Sequence, residues 1–216
     1  MNTSFSGWKE GAPYFGPPLG AGALLLLFAG GTAAGLACAL TVLVLGLFIL
    51  FFFRDPSRPI TRDPDEIVSP ADGAIAGIED LESSPHYDGR CRRISIFLSV
   101  FDVHINRAPF DGTIQDLTYR PGQFKNAMKP ETSECNESNT LRMTTDRGPI
   151  TVRQISGLIA RRIVCRRGVG DTLSKGERFG MIKFGSRTEL YLPPETHICV
   201  KLKDRVRGGA SVVARF

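Results

Sequence analysis

Three short stretches carry side chains suited to covalent and acid–base chemistry. They are Asp72 within VSPADG, His104 within FLSVFDVHINRAPFDG with Asp102 two residues before it, and Ser186 within MIKFGSRTELYL, directly after Gly185. A carboxylate, an imidazole and a hydroxyl supply an acid or base, a group that titrates nearest neutral pH, and a nucleophile. Each also has a plainer role open to it. Asp72 shapes a turn, His104 caps or packs, and Gly185-Ser186 makes a bend between two apolar runs.

The elements that must position these residues are mostly strands. Short alternating or β-branched runs, punctuated by Gly, Pro and Asp, begin at Gly73 (GAIAGIE), Arg92 (RRISIFL), Gly112 (GTIQDLTY), Asn139 (NTLRMTT), Ile150 (ITVRQI), Thr188 (TELYL) and Ala210 (ASVVA). The helical candidates, residues 98–102 and part of 157–163, are too short for periodicity to decide. SPADGAI from Ser69 and GDTLSKGE from Gly170 resemble the two halves of a lipoyl or biotinyl carrier barrel. That likeness predicts a mainly β fold, a compact β-sandwich or barrel that brings residue 72 near the 180s. It also opens a rival reading, a membrane-tethered carrier or adaptor without catalysis. Lys183 is a poor carrier lysine, because it lies in an alternating strand and not on a polar hairpin tip.

The N-terminal part is of another kind. Residues 11–53 contain no Asp, Glu, Lys or Arg, and about 20 apolar residues suffice to cross a bilayer core. A cleaved secretory signal has an apolar region of only about 7 to 15 residues, so residues 1–53 are expected to be a retained transmembrane helical anchor. After Pro17-Pro18 the run is too long for one upright span, and two short spans bent near Gly30-Gly31 fit better, with one tilted span as the alternative. Lys9 before the run and Arg54, Arg58 and Arg62 after it place both flanks in the cytoplasm by the positive-inside tendency. Residues 54–66, rich in Pro and Asp, form a polar hinge, and residues 67–216 form the soluble domain.

Composition narrows the chemistry further. The five cysteines include no C-x-x-C pair and the histidines number three, so a zinc knuckle, a redox motif or a His-rich metal centre is not indicated. The net charge of +5 includes Arg161, Arg162, Arg166 and Arg167. On a tethered domain such a patch suits anionic membrane lipid, or simply a solvated surface, and no nucleic-acid module accompanies it.

Six blocks in order carry a closer likeness: VSPADG (68–73), FLSVFDVHINRAPFDG (97–112), YRPGQFKNA (119–127), ECNESN (134–139), QISGLIARRI (154–163) and GERFGMIKFGSRTELYLP (176–193). Together they resemble the short, membrane-associated phosphatidylserine decarboxylases over roughly residues 55–200. The resemblance implies self-cleavage between Gly185 and Ser186, giving a β chain of residues 1–185 and an α chain of residues 186–216. Ser186 would become a pyruvoyl group, the covalent cofactor, which forms a Schiff base with phosphatidylserine and releases phosphatidylethanolamine. By the same likeness His104 is a candidate for proton transfer during decarboxylation, and Asp72 for orienting or activating Ser186. No metal is implied, and the expected location is the inner membrane with the domain facing the cytoplasm. One departure stands out: longer bacterial members have a second histidine three positions after the first, where this chain has Arg107. An arginine stays protonated, so the base that activates Ser186 is left open.

Overall fold

The computed structural model describes residues 5–29, 31–128, 132–158, 162–183 and 186–216. Residues 6–56 and residues 57–216 form two compact units. The first is a pair of helices, α1 (Gly7–Phe28) and α2 (Ala33–Phe52), both long and apolar enough to cross a membrane. Thr32 starts α2 by accepting a hydrogen bond from the Gly35 amide at 3.2 Å, as an N-cap threonine does. Gly31 beside it adopts a left-handed φ of 74°; Gly30, the other half of the expected bend, lies outside the described residues. The helices pack closely where Gly46 meets Leu19, since a Cβ on Gly46 would come within 2.8 Å of that side chain.

The second unit is mainly β. In chain order its strands are β1 (Glu66–Val68), β2 (Gly73–Leu81), β3 (Cys91–Leu98), β4 (Ile105–Arg107), β5 (Gly112–Arg120), β6 (Ser138–Thr145), β7 (Gly148–Ser156), β8 (Arg162–Cys165), β9 (Thr172–Leu173), β10 (Arg178–Lys183), β11 (Ser186–Leu192), β12 (His197–Ile198), β13 (Arg205–Val206) and β14 (Val212–Arg215). Among the described residues they form an eight-stranded sheet in the order β13-β2-β3-β11-β7-β6-β5-β9 and two three-stranded sheets, β4-β10-β8 and β1-β14-β12. The strands read from alternation are all present. Residues 98–102 are not helical: Leu98 ends β3, and the Asp102 amide then donates to the Ser99 carbonyl in a turn. The other helical candidate ends in β8, and its residues 159–161 lie outside the described ones.

Period-two alternation explains the core. On β11, Leu190 and Leu192 share a face with Ile94 and Ile96 of β3, Val152 and Ile150 of β7, and Leu141 and Met143 of β6, all buried in one cluster. The opposite face of β11 carries Arg187, Glu189 and Tyr191, and it too is buried. Residues 133–134 cover it: Arg153 donates to the Ser133 carbonyl at 2.8 Å, and Arg187 to the Ser133 hydroxyl at 3.1 Å. The strand in the middle of the large sheet is therefore enclosed on both faces and both edges.

β10 runs close to β8 at Gly180, where an added Cβ would stand 2.2 Å from the Val164 carbonyl oxygen. Gly180→Ala is expected to force the two strands apart and to cost about 1–3 kcal/mol. Thermal unfolding of the detergent-solubilised protein reads this as a lowered midpoint, and an unchanged midpoint would contradict the close approach.

Candidate active site

Strand register gathers the chemistry at one end of the large sheet. Ala74 pairs with Phe97, Phe97 with Arg187 and Arg187 with Ile155; one step further, Leu98 pairs with Ser186 and Ser186 with Ser156. Asp72 immediately precedes β2, so it stands about two strand spacings, roughly 10 Å, from Ser186. His104 enters from the loop ahead of β4, its carbonyl accepting from the Ile182 amide at 3.2 Å on the strand that leads to residue 186. Residues 72 and 186 are thus neighbours across β3 although 114 positions separate them, and His104 is tied to β10. Phe184 and Gly185 lie outside the described residues.

Ser186 opens β11, is fully buried, and its hydroxyl has no hydrogen-bond partner among the described residues. The hydroxyl of its register partner Ser156 is in the same condition. Directly opposed residues point to one face with Cβ atoms about 5 Å apart, so two unsatisfied hydroxyls share one buried space. Burying such a group without a partner costs about 1–3 kcal/mol. Two residues along that face, Thr188 accepts from Asn106 at 3.1 Å, Asn106 accepts from Gln154 at 2.8 Å, and Gln154 accepts from Asn139 at 2.9 Å. This buried amide chain ties β4, β6 and β7 to the strand that begins at Ser186.

His104 is fully buried, with Nδ1 2.9 Å from the Asp102 backbone carbonyl. A carbonyl only accepts, so Nδ1 carries a proton and Nε2 is the basic nitrogen of the neutral ring. The Asp102 carboxylate does not touch the imidazole. It accepts from the Ser99 amide at 2.8 Å and the Ser99 hydroxyl at 2.7 Å, and pairs with Arg205. Asp102 therefore holds His104 through the main chain.

Asp72 is nearly buried and its carboxylate is occupied. One oxygen meets Arg58 at 2.6 Å, and the other accepts from the Gly208 amide at 2.8 Å. Burial pushes its pKa above the ordinary aspartate value, and the Arg58 charge opposes that rise. The Arg107 guanidinium donates to the Gly176 carbonyl at 3.0 Å. Lys183, at the end of β10, is buried. Of the basic patch, Arg167 is paired with Glu177, Arg162 is exposed, and Arg161 lies outside the described residues.

Sequence reasoning missed Arg58, Gly208, Asn106, Gln154 and Ser156. Arg58 stood in a segment read as a hinge, and Ser156 and Gln154 sat in an alternating run that read only as a strand. Asn106 lies within the block that carries His104, and its position two residues after the imidazole was the one available signal.

Fold and site together define a β-domain enzyme with an apolar helical pair at its N-terminus and a buried, unpartnered hydroxyl at the start of a central strand. The chain belongs to the phosphatidylserine decarboxylase family: the family model described as Phosphatidylserine decarboxylase matches residues 45–214. It is 44% identical to the phosphatidylserine decarboxylase proenzyme of Symbiobacterium thermophilum over 213 residues, covering 96% of this chain and 94% of that one. It is 47% identical to the proenzyme of the same name from Carboxydothermus hydrogenoformans over 178 residues (82% and 84%), and 41% identical to that of Cupriavidus pinatubonensis over 210 residues (96% and 94%).

Two outcomes follow from the geometry. In Arg58→Met the Asp72 carboxyl loses the charge that restrains its pKa, so its titration, followed by carboxyl carbon NMR, is expected to move to still higher pH. A downward move would mean that Arg58 does not act on Asp72. Asn106→Ala leaves Thr188 and Gln154 each short of a buried partner and is expected to destabilise the protein by about 2–4 kcal/mol, read as a drop in thermal midpoint.

Proposed function

We propose that the chain cleaves itself between Gly185 and Ser186 and then decarboxylates phosphatidylserine to phosphatidylethanolamine. The observation that carries this reading is the buried, unpartnered hydroxyl of Ser186 at the first position of β11, in a family whose relatives are named proenzymes. In the cleavage the Ser186 oxygen attacks the Gly185 carbonyl carbon, the peptide C–N bond breaks, and an ester links the two halves. Loss of the Ser186 Cα proton expels the Gly185 carboxylate, leaving residues 1–185 as one chain. The new terminus of residues 186–216 takes up water and loses ammonia to become a pyruvoyl group.

The residues present fit that group. Position 186 is enclosed, small, and faced by the Ser156 hydroxyl, a donor otherwise without a partner. A pyruvoyl ketone supplies an electron sink for the loss of carbon dioxide from an amine-bearing carbon, the task that an external cofactor performs elsewhere. His104, with its proton on Nδ1, offers Nε2 to take up and return a proton at the reacting carbon. Asp72 acts as a charged or protonated neighbour according to its raised pKa, and Arg58 sets the balance between the two. Asn106 and Gln154 fix the strand behind the reacting residue.

In this reading residues 1–53 anchor the enzyme through two spans, residues 54–66 connect, and residues 67–216 carry the chemistry on the cytoplasmic side. The anchor keeps the site in the plane where a lipid substrate is concentrated. Anionic lipid is its surroundings, and the two chains of one precursor are its permanent partners.

Ser186→Ala is expected to leave a single uncleaved chain without decarboxylase activity, as judged by denaturing intact mass and product assay. Two chains from that variant would sink the mechanism. His104→Ala is expected to lose about 10²- to 10⁴-fold in decarboxylation with a smaller loss in cleavage, and equal losses on both assays would remove His104 from the proton-transfer role.

A further inference from the structure

Beside the site opens a cleft of about 560 Å³, whose wall includes Asp72, Asp102, Arg205, Arg207 and Ser211. Its volume falls in the range of small-molecule sites, about 300–1,000 Å³. Two of its side chains adjoin the candidate active residues: Asp72 is one of them, and Asp102 holds the His104 ring.

The charges in this wall are unequally committed. Asp72 is paired with Arg58, and Asp102 with Arg205. Arg207 is exposed, and its guanidinium has no partner among the described residues, although its backbone amide donates to the Ser211 hydroxyl at 2.9 Å. Two neutralised pairs and one uncommitted cation make the cleft a place for an anion. Arginine suits a phosphate in particular, because its planar fork donates two parallel hydrogen bonds.

Distance agrees with a headgroup that reaches the reacting residue. Val206 pairs with Gly73 on the outer side of β2, so Arg207 stands about three strand spacings, roughly 14 Å, from Ser186. An extended arginine reaches about 7 Å from its Cα, and a phosphoserine diester places its phosphorus about 5 Å from its amine, which together cover most of that gap. Phe101, 65% exposed, lies on the turn that carries Asp102.

We propose that this cleft receives the phosphodiester of the lipid headgroup, with Arg207 as its principal contact. The assignment rests on the decarboxylase reading and adds how the enzyme distinguishes a phosphoserine lipid from other serine amines. The test compares the processed full-length enzyme with its Arg207→Gln variant, using cyanoborohydride to trap amines on the C-terminal chain and intact mass to read them. The probes are glycerophosphoserine, which has the diester, and serine methyl ester, which lacks it. The variant is expected to need about tenfold more glycerophosphoserine for half-maximal trapping, with serine methyl ester unchanged and Arg207→Lys intermediate. Equal trapping of both amines by wild type and variant overturns the phosphate assignment and leaves the decarboxylase reading intact. Loss of both in the variant also overturns it, since a general structural effect would explain that. No adduct on the wild type with either amine removes the decarboxylase reading, and the proposal with it. Inorganic phosphate at the concentration of glycerophosphoserine is expected to leave trapping within about twofold, because the headgroup has the reacting amine as a second point of attachment. Strong suppression by phosphate would identify a free-anion site and overturn the headgroup assignment.

Discussion

Glu189 lies in the middle of β11 with no exposure to water, and its charge has to be met inside the protein. The Tyr191 hydroxyl donates to it at 2.7 Å, Arg153 stands 3.5 Å away, and Arg187 and Arg93 stand at 3.9 and 4.0 Å. Removing a carboxylate from water costs several kcal/mol, which only a specific arrangement of cations offsets. Every partner comes from β3, β7 or β11 itself, so the cations surround Glu189 in one register only. A slip of one residue would turn Glu189 into the apolar core and Leu190 out of it. The position of Ser186 follows from that constraint, because it begins the strand whose middle is fixed.

The inner face of the same strand is divided along its length. Leu190 and Leu192 join the apolar core, whereas Ser186 and Thr188 join a polar interior with Ser156, Gln154, Asn139 and Asn106. The apolar end supplies the non-directional burial that stabilises the fold. The polar end gives up part of that burial, and hydrogen bonds offset the loss everywhere except at Ser186 and Ser156. On this face the two unpartnered hydroxyls stand side by side, where a covalent change at residue 186 would be made.

Much of this was legible in the chain. RRISIFL, NTLRMTT and ITVRQI alternate clearly enough to be strands, and the apolar run of residues 11–53 declares its two helices. The short strands β4, β8, β9, β12 and β13 were not, because two to four residues hold too little periodicity. The burial of Arg153, Arg187 and Glu189 was hidden for a different reason: charge alternating with apolar residues reads as a wet face, and only the covering loop at residues 133–134 makes it dry. The likeness to a carrier barrel suggested that residue 72 approaches the 180s, and strand order bears that out through β3. Arg58 on Asp72 had no local pattern to announce it, since the pair forms only when the segment before β1 folds back.

The placement of Ser186 also bears on how the protein lasts. Residues 186–216 supply β11 to the centre of the large sheet, β13 to its edge, and β12 and β14 to another sheet. An uncut precursor folds as one chain, at a rate independent of its concentration. Once divided before Ser186, the same contacts would have to be rebuilt by two separate molecules, and a 31-residue piece that escaped would be diluted beyond recovery. The processed form would then persist by the slowness of its unfolding, so maturation would exchange a reversible fold for a kinetically trapped one.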